Sequence, residues 1–163
     1  MEMIGWIGLG HIGRAMAERL SEEYELLVWN RTIEKAKGFK NVARTPEEVA
    51  EKCDVIFLSL YDSEAVRQVS ERLLKADLSG KIVVDTTTNY HEKVLEFHEM
   101  YREAGAFYLE SPVMRSVIPA RNGQLTILVR ERGRPLRKSV PTLRSSGRRY
   151  STSMSPERSR SSN

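Results

Sequence analysis

The sequence predicts an α/β fold with a doubly wound, mostly parallel sheet. Short apolar runs alternate along the chain with segments of helical periodicity, which is the pattern of β-α-β units. The apolar runs are unbroken, and this is typical of strands that are buried on both faces of a parallel sheet. The chain has 163 residues, which is enough for one core of ordinary size.

The predicted elements follow one another in a regular order. Thr45 before Pro46 marks the start of one short helix, because Thr caps helix N-termini and Pro is favoured at the first helical position. The predicted strands are Met3–Leu9, Leu26–Trp29, Val55–Leu60, Lys81–Asp85 and Ala106–Leu109, with Gln124–Val129 as a further candidate. The predicted helices are Ile12–Leu20, Pro46–Lys52, Ser63–Leu74 and Tyr90–Glu103.

The composition favours a soluble cytoplasmic protein with no membrane partner. No apolar run reaches the roughly 18 residues that are needed to span a bilayer. The N-terminal segment lacks the basic-then-apolar layout of a signal peptide. The single cysteine, Cys53, excludes an intramolecular disulfide and is typical of a reducing compartment.

A glycine-rich motif, GLGHIG at residues 8–13, joins the first predicted strand to the first predicted helix. In this context the pattern G-x-G-x-x-G predicts the phosphate-binding turn of a Rossmann-type dinucleotide-binding domain. Gly8 permits the tight turn, Gly10 lets the backbone approach the pyrophosphate, and Gly13 lets the helix pack on the strand. A tight turn without a ligand is the alternative. The expected cofactor contacts here are Gly8, Leu9, Gly10, His11, Ile12 and Gly13.

The residues after the second predicted strand indicate which dinucleotide binds. An NAD site usually has Asp or Glu at this point, whereas this chain has Asn30, Arg31 and Thr32. A carboxylate would repel a 2′-phosphate, whereas Arg31 can clamp it with a planar fork of donors. We therefore expect these three residues to contact the cofactor and the cofactor to be NADP(H). The alternative is a solvated arginine on a loop.

Taken together, these motifs resemble the N-terminal part of the β-hydroxyacid dehydrogenases. This family includes 3-hydroxyisobutyrate dehydrogenase, the glyoxylate/succinic semialdehyde reductases and, more distantly, 6-phosphogluconate dehydrogenase. IGWIGLGHIGRAMAERL resembles its opening signature, and VWNRT resembles the second-strand end of its NADP-using members. Further similar segments are residues 60–63 (LYDS), 85–88 (DTTT) and 110–113 (ESPV), followed by Ala120, Gly123, Leu125 and Thr126. The resemblance covers about residues 3–129.

The resemblance also implies roles for residues outside the glycine loop. The nicotinamide-ribose side of the cofactor would be lined by Leu60, Tyr61 and Thr88. The alternative for the three threonines of DTTT is that they form only a polar turn. The segment after residue 113 would bind the carboxylate of the substrate. The family usually has Ser-Gly-Gly there, whereas this chain has Met-Arg-Ser. Ser116 keeps a small polar side chain, and Arg115 binds the carboxylate, blocks the site or is a solvated loop residue.

The activity that the resemblance implies is hydride transfer between NADP(H) and a small 3-hydroxyacid or semialdehyde. The family's catalytic lysine lies on a helix after this domain. It protonates the developing alkoxide, or accepts the proton in the oxidative direction. Lys138 is the only lysine after residue 129, and it lacks the family's pattern. We therefore expect no catalytic residue in this chain and a missing C-terminal helical domain, which in the family mediates dimers. Two functions stay open, an NADP-dependent oxidoreductase and a cofactor-binding fragment without turnover.

The composition changes abruptly after residue 129. Residues 130–163 hold ten of the 26 basic residues but only two of the 22 acidic ones, and they have almost no apolar periodicity. This composition predicts a disordered tail after a first domain at residues 1–129. A different reading frame of the gene from Arg130 onward is compatible with a peptide that resembles the family's sequence after this point. We therefore interpret the tail as a frameshift product. The alternative, a basic tail for RNA or an acidic partner, is disfavoured because stacking aromatics are lacking. We expect no nucleic-acid partner.

Overall fold

The computed structural model describes residues 3–110 and two short segments at 143–145 and 148–150. The strands are β1 (Ile4–Ile7), β2 (Leu26–Trp29), β3 (Val55–Leu58), β4 (Ile82–Asp85), β5 (Phe107–Glu110), β6 (Leu143–Ser145) and β7 (Arg148–Tyr150). The α-helices are α1 (His11–Ser21), α2 (Pro46–Lys52), α3 (Ser63–Leu73) and α4 (His91–Glu103). A 3-10 helix, Ile33–Ala36, follows β2.

The main sheet has five parallel strands in the order β2-β1-β3-β4-β5. The chain runs outward from β1 through α1 to β2, and then crosses to the other side of β1 to form β3. The direction of winding therefore reverses between β1 and β3. Open α/β sheets bind ligands in the crevice outside the carboxyl ends of the strands at such a point. The topology confirms the predicted doubly wound α/β fold and indicates where its site lies.

Hydrophobic side chains pack on both faces of this sheet. On one face the ring of Trp6 stacks on Phe57 with centroids 5.4 Å apart, and Met16 of α1 packs into the same cluster. On the other face Ile56 lies in a cluster with Phe97 of α4. Every residue of β1, β3 and β4 is buried. The unbroken apolar runs in the sequence are thus explained by burial on both sides.

The ends of some elements differ from those predicted by a residue or two. β3 ends at Leu58 instead of Leu60, because the Leu60 N–H donates to the side chain of Thr87 and not to a neighbouring strand. α4 begins at His91, and β5 extends to Glu110. In residues 3–110 no helix is long and apolar enough to cross a membrane, and the same holds for the two short segments.

The segments at 143–145 and 148–150 pair with each other as an antiparallel two-stranded sheet. They fall within residues 130–163, where the sequence predicts a disordered tail. The other residues of that tail lie outside the described residues, as does the candidate strand at 124–129. The disorder of the tail and the domain boundary at residue 129 therefore stay predictions.

Candidate functional site

A cleft of about 740 Å³ lies at the crevice between the carboxyl ends of β1 and β3. The loop after β1 forms its floor, the segment after β2 forms one rim, and the loop after β3 with one side of α3 forms the opposite wall. Eleven of the predicted cofactor contacts line it together: Gly8, Leu9, Gly10, His11, Ile12, Gly13, Asn30, Arg31, Thr32, Leu60 and Tyr61.

Two glycines of the loop are required by contacts inside the protein. Gly8 has a φ of +107°, and a Cβ built on it would lie 1.9 Å from the carbonyl oxygen of Ser59. A Cβ on Gly13 would lie 2.4 Å from the carbonyl oxygen of Gly8 and 2.9 Å from Ser59 Oγ. Both glycines therefore let α1 and the loop after β1 pack against the residue that follows β3.

Gly10 differs from these two glycines. Its φ of −65° and ψ of −176° suit any residue, and no heavy atom of the described residues lies within 4 Å of a Cβ built on it. Gly10 is also the N-cap residue of α1, so the cap residue offers no side chain to the helix, and no acidic residue lies in the first turn. The first turn of α1 lines the cleft, and the positive end of the helix dipole lies there.

Asn30 ties the two sides of this floor together. Its Oδ1 accepts a hydrogen bond from the Leu9 N–H at 2.9 Å, and its Nδ2 donates to the carbonyl oxygen of Thr32 at 2.9 Å. The amide group thus joins the glycine loop to the segment after β2. Sequence spacing alone did not show this connection, which depends on β1 and β2 being neighbours in the sheet.

The segment after β2 presents positive charge to the cleft. Arg31 is exposed on its rim, and so is Lys35, which the sequence analysis did not select. Neither side chain forms an ion pair within the part of the chain that the structure describes. The carboxylates on the opposite wall are engaged elsewhere, because Asp62 accepts from the Ala65 N–H at 2.8 Å and Glu64 pairs with Arg67. A second basic residue soon after Arg31 was the signal that could have indicated Lys35.

The wall formed by α3 adds residues that sequence reasoning missed. Arg72 and Gln68 line the cleft, as does Trp29 at the end of β2. The Arg72 guanidinium lies 5.8 Å from the centroid of the Trp29 ring and donates to both carboxylate oxygens of Glu47, at 3.0 and 2.9 Å. Its charge is therefore compensated, unlike that of Arg31. Only the packing of α3 against the sheet reveals which of its sides faces the cleft.

A buried polar network supports the wall that follows β3. The carboxylate of Asp85, fully buried at the end of β4, accepts hydrogen bonds from the Thr87 N–H at 2.9 Å, Asn89 Nδ2 at 2.8 Å and the Tyr108 hydroxyl at 2.5 Å. Burial raises the pKa of Asp85, although these hydrogen bonds oppose the shift. Burial and the adjacent Asp85 charge also raise the pKa of Tyr108.

This network reaches the cleft through two further contacts. Thr87 Oγ1 accepts a hydrogen bond from the Leu60 N–H at 2.9 Å, and Asn89 Oδ1 accepts one from Ser63 Oγ at 2.8 Å at the start of α3. Thr88, which the resemblance places at the nicotinamide-ribose side, is exposed and does not line this cleft. The neighbouring threonine is the one that holds the wall. Tyr61 is 95% exposed at the mouth of the cleft.

The predicted substrate-binding residues Arg115 and Ser116 lie outside the described residues. The structure therefore does not relate them to the cleft, and their roles stay predictions.

The fold and the cleft together define a Rossmann-type dinucleotide-binding domain. Residues 3–154 match the family model of the NAD-binding domain of 6-phosphogluconate dehydrogenase, and the chain belongs to this family. The predicted family and its nicotinamide dinucleotide cofactor are thereby confirmed. The match runs beyond residue 129, into the segment that the sequence analysis assigned to the tail.

Curated relatives agree with this assignment. The chain is 31% identical to glyoxylate/succinic semialdehyde reductase 1 of Arabidopsis thaliana, over 90% of this chain and 53% of that protein. It is 33% identical to the mitochondrial 3-hydroxyisobutyrate dehydrogenase of Mus musculus, over 77% of this chain and 40% of the relative. The chain thus spans about half the length of the curated relatives that it matches, or less. These relatives include a mitochondrial form, and the cytoplasmic location stays a prediction.

Solved structures show the same fold. The 3-hydroxyisobutyrate dehydrogenase of Mycobacterium tuberculosis, solved with L-serine, superposes with a TM-score of 0.74 at 25% identity, over 79% of this chain and 46% of that one. A reductive aminase from Aspergillus terreus in complex with NADPH and ethyl levulinate superposes with a TM-score of 0.68 at 25% identity, over 78% of this chain and 46% of that one.

Proposed function

We propose that this chain is the NADP(H)-binding domain of an oxidoreductase that acts on a small 3-hydroxyacid or semialdehyde. The family supplies the nicotinamide cofactor, and the names of the curated relatives supply the substrate class. The cofactor is proposed to lie across the carboxyl ends of β1 and β3, with its pyrophosphate at the start of α1 and its adenosine ribose beside Arg31.

The observation that carries this proposal is the open space in front of Gly10. Glycine costs chain entropy on folding, and neither the backbone angles nor the packing of the described residues requires one at position 10. A bound pyrophosphate does require it, because the phosphate oxygens must approach the backbone N–H groups without a side chain between them. The uncapped start of α1 fits a group with two negative charges.

The preference for NADP(H) over NAD(H) rests on the rim after β2. There is no carboxylate at position 30 to bond a ribose 2′-hydroxyl or to repel a 2′-phosphate. Arg31 and Lys35 instead offer two exposed cations, and their charges are not compensated by the described carboxylates. A solved structure that resembles this chain holds NADPH.

The remaining roles concern the reacting end of the cofactor. When bound, the nicotinamide ring supplies a hydride acceptor or donor. We propose that Leu60 and Tyr61 line its ribose side, with Thr88 nearby, and that Arg115 and Ser116 bind the substrate carboxylate. The Asp85 network fixes the backbone of this wall through Leu60.

A second candidate function is cofactor binding without turnover by the 163-residue chain. The observation that favours this function concerns Lys138, which is the only lysine in residues 130–163. Lys138 lacks the sequence spacing of the family's proton-transfer lysine. Proton transfer by a positioned side chain contributes roughly 10²–10⁴-fold to a rate. Reductase assays with NADPH and either glyoxylate or succinic semialdehyde distinguish the two functions. Turnover by the wild-type chain would contradict the second candidate, and its loss in Lys138→Ala would assign the proton transfer to that lysine.

The test of cofactor binding uses Gly10→Val. NADPH and NADH are titrated against the wild-type chain and the variant by fluorescence or calorimetry. We expect the wild type to bind both and to bind NADPH more tightly, and the variant to bind neither while keeping its thermal unfolding temperature. Ser21→Val, at the far end of α1, is the matched control and should bind like the wild type. Unchanged binding by the folded Gly10→Val variant would show that the loop is only a turn.

A further inference from the structure

The segment that carries Arg31 and Lys35 is mostly exposed to solvent. It contains the 3-10 helix Ile33–Ala36, in which only Ala36 is buried, and it turns at Gly38 with a φ of +98°. Exposed cations on such a segment recognise a phosphate only if their backbone is held at the right distance from the rest of the site.

One side chain from α1 supplies that support. The guanidinium of Arg14 donates to the carbonyl oxygen of Lys35 at 2.5 Å and to that of Lys37 at 2.8 Å. It also lies over the ring of Phe39, 5.0 Å from the centroid, which is within the range of a cation–π contact. Arg14 is not among the residues that line the cleft.

The action of Arg14 is geometric. Its Nε donates to Glu18 Oε1 at 2.8 Å, so a carboxylate on the same helix compensates its charge. The planar fork of a guanidinium presents donors in fixed directions, and two carbonyls bound to one fork have their relative positions fixed. Since α1 begins next to Gly10, this helix sets both the pyrophosphate position and the position of the segment after β2.

We propose that Arg14 is a positioning residue for cofactor selectivity. By holding the carbonyls of Lys35 and Lys37, it sets the distance between the start of α1 and the segment that presents the Lys35 cation beside Arg31. This inference rests on the proposed function, in which the cleft binds a dinucleotide and Arg31 selects NADP(H). Its distinctive consequence is that loss of Arg14 changes the affinity for NADPH and leaves the affinity for NADH nearly unchanged.

The experiment compares Arg14→Gln, Arg14→Lys and the matched control Arg102→Gln in the 163-residue chain. Arg102 is an exposed arginine on α4 that pairs with Glu99, so its replacement removes the same charge away from the cleft. Dissociation constants for NADPH and NADH are measured for each protein, and thermal unfolding checks that each is folded. For Arg14→Gln we expect about a tenfold weaker NADPH affinity, from the loss of charge-assisted hydrogen bonds, and an NADH affinity within roughly twofold of wild type.

The lysine variant separates geometry from charge. A lysine keeps the positive charge but lacks the planar fork, so Arg14→Lys should lose most of the NADPH preference as well. Full wild-type preference in Arg14→Lys, or in Arg14→Gln, would overturn the positioning role, and so would an equal loss of both cofactors. Arg102→Gln should match the wild type. A wild-type chain that binds neither cofactor would instead overturn the proposed function, and the inference with it.

Discussion

The two ends of the cleft are built in different ways. At the glycine-loop end the ligand-facing groups are backbone atoms, and Gly8 and Gly13 are fixed by contacts with Ser59 inside the protein. At the end that follows β2 the ligand-facing groups are exposed side chains, Arg31 and Lys35, on a segment supported by hydrogen bonds from elsewhere. The glycine-loop end therefore consists of backbone that internal packing fixes. The end that follows β2 consists of exposed side chains on a segment at the surface.

This difference predicts how each end responds to substitution. Changes to the glycines that pack inside the protein should cost stability as well as binding, because the same atoms serve both. Changes to the exposed cations should cost selectivity alone, since surface side chains without structural contacts contribute little to folding. A protein of this kind can thus alter its choice of cofactor without altering its core.

The largest expected effect comes from Gly8→Ala compared with Gly10→Ala. Gly8→Ala forces an alanine to a positive φ and into the Ser59 carbonyl, and strain and overpacking together should lower the free energy of unfolding by about 4 kcal/mol. Gly10→Ala meets no atom of the described residues and has a compatible φ, so its stability should stay within about 0.5 kcal/mol of wild type. Urea unfolding measures both variants. Equal destabilisation would contradict the distinction between the two glycines.

The next effect concerns the other end of the cleft. Arg31→Ala should reduce NADPH affinity by about 1.5–3 kcal/mol, or roughly 10–150-fold, because a charge-assisted bidentate contact is lost. Affinity for NADH and the thermal unfolding temperature should stay nearly constant. Lys35→Ala should act in the same direction with a smaller effect, since lysine binds as a single point charge. Titration of both cofactors checks this, and equal wild-type affinity for NADH and NADPH would refute it.

The wall between the two ends offers a third test, Asp85→Asn. An asparagine keeps the shape but cannot accept all three hydrogen bonds, so the free energy of unfolding should fall by roughly 1.5 kcal/mol. The loss should also depend on pH. Burial holds the pKa of Asp85 above its unfolded value, so the native state retains this proton more strongly than the unfolded chain does.

The stability that Asp85 contributes through this proton is fully present below its unfolded pKa and is lost as the pH rises through its folded pKa. The difference between wild type and Asp85→Asn should therefore shrink as the pH increases over that interval. Urea unfolding at a series of pH values from about 4 to 8 measures it. A difference that grows with pH would show that the hydrogen bonds outweigh burial at this carboxylate.

The smallest effect is expected for Asn30→Ala, which removes the connection between the two ends. The Leu9 N–H and the Thr32 carbonyl lose their partner, and the cost should be about 1 kcal/mol of stability. Both cofactors should bind somewhat less tightly, because the glycine loop and the segment after β2 lose one of the contacts that join them. Asn41→Ala is a useful control, because the Asn41 side-chain amide also donates to a backbone carbonyl. That carbonyl belongs to Leu26, at the start of β2 and outside the cleft. A selective loss of NADPH alone would assign Asn30 to the 2′-phosphate.

Several features of the site were predictable because they depend on local sequence. The positions of the glycines and of the Asn30–Thr32 segment follow from a strand, a tight turn and a helix in succession. The N-cap of α2 is also local, and Thr45 does accept the predicted kind of hydrogen bond, from the Glu48 N–H at 3.2 Å. Arg14 and Arg72 could not be selected in this way, because their importance arises from contacts between residues that are distant in sequence.

The sequence by itself determined the order of strands and helices, the parallel sheet and the location of the phosphate-binding turn. These follow from hydrophobic periodicity and from glycines whose constraint lies within a few residues. Only the tertiary structure decided which glycine is free to meet a ligand, which threonine after β4 supports the cleft, and which arginine holds its rim. These outcomes depend on the strand order β2-β1-β3, which brings Gly8, Asn30 and Ser59 together from three separate parts of the chain. Packing across a sheet has no fixed spacing in sequence, and this is the physical reason why the pattern of residues does not reveal it.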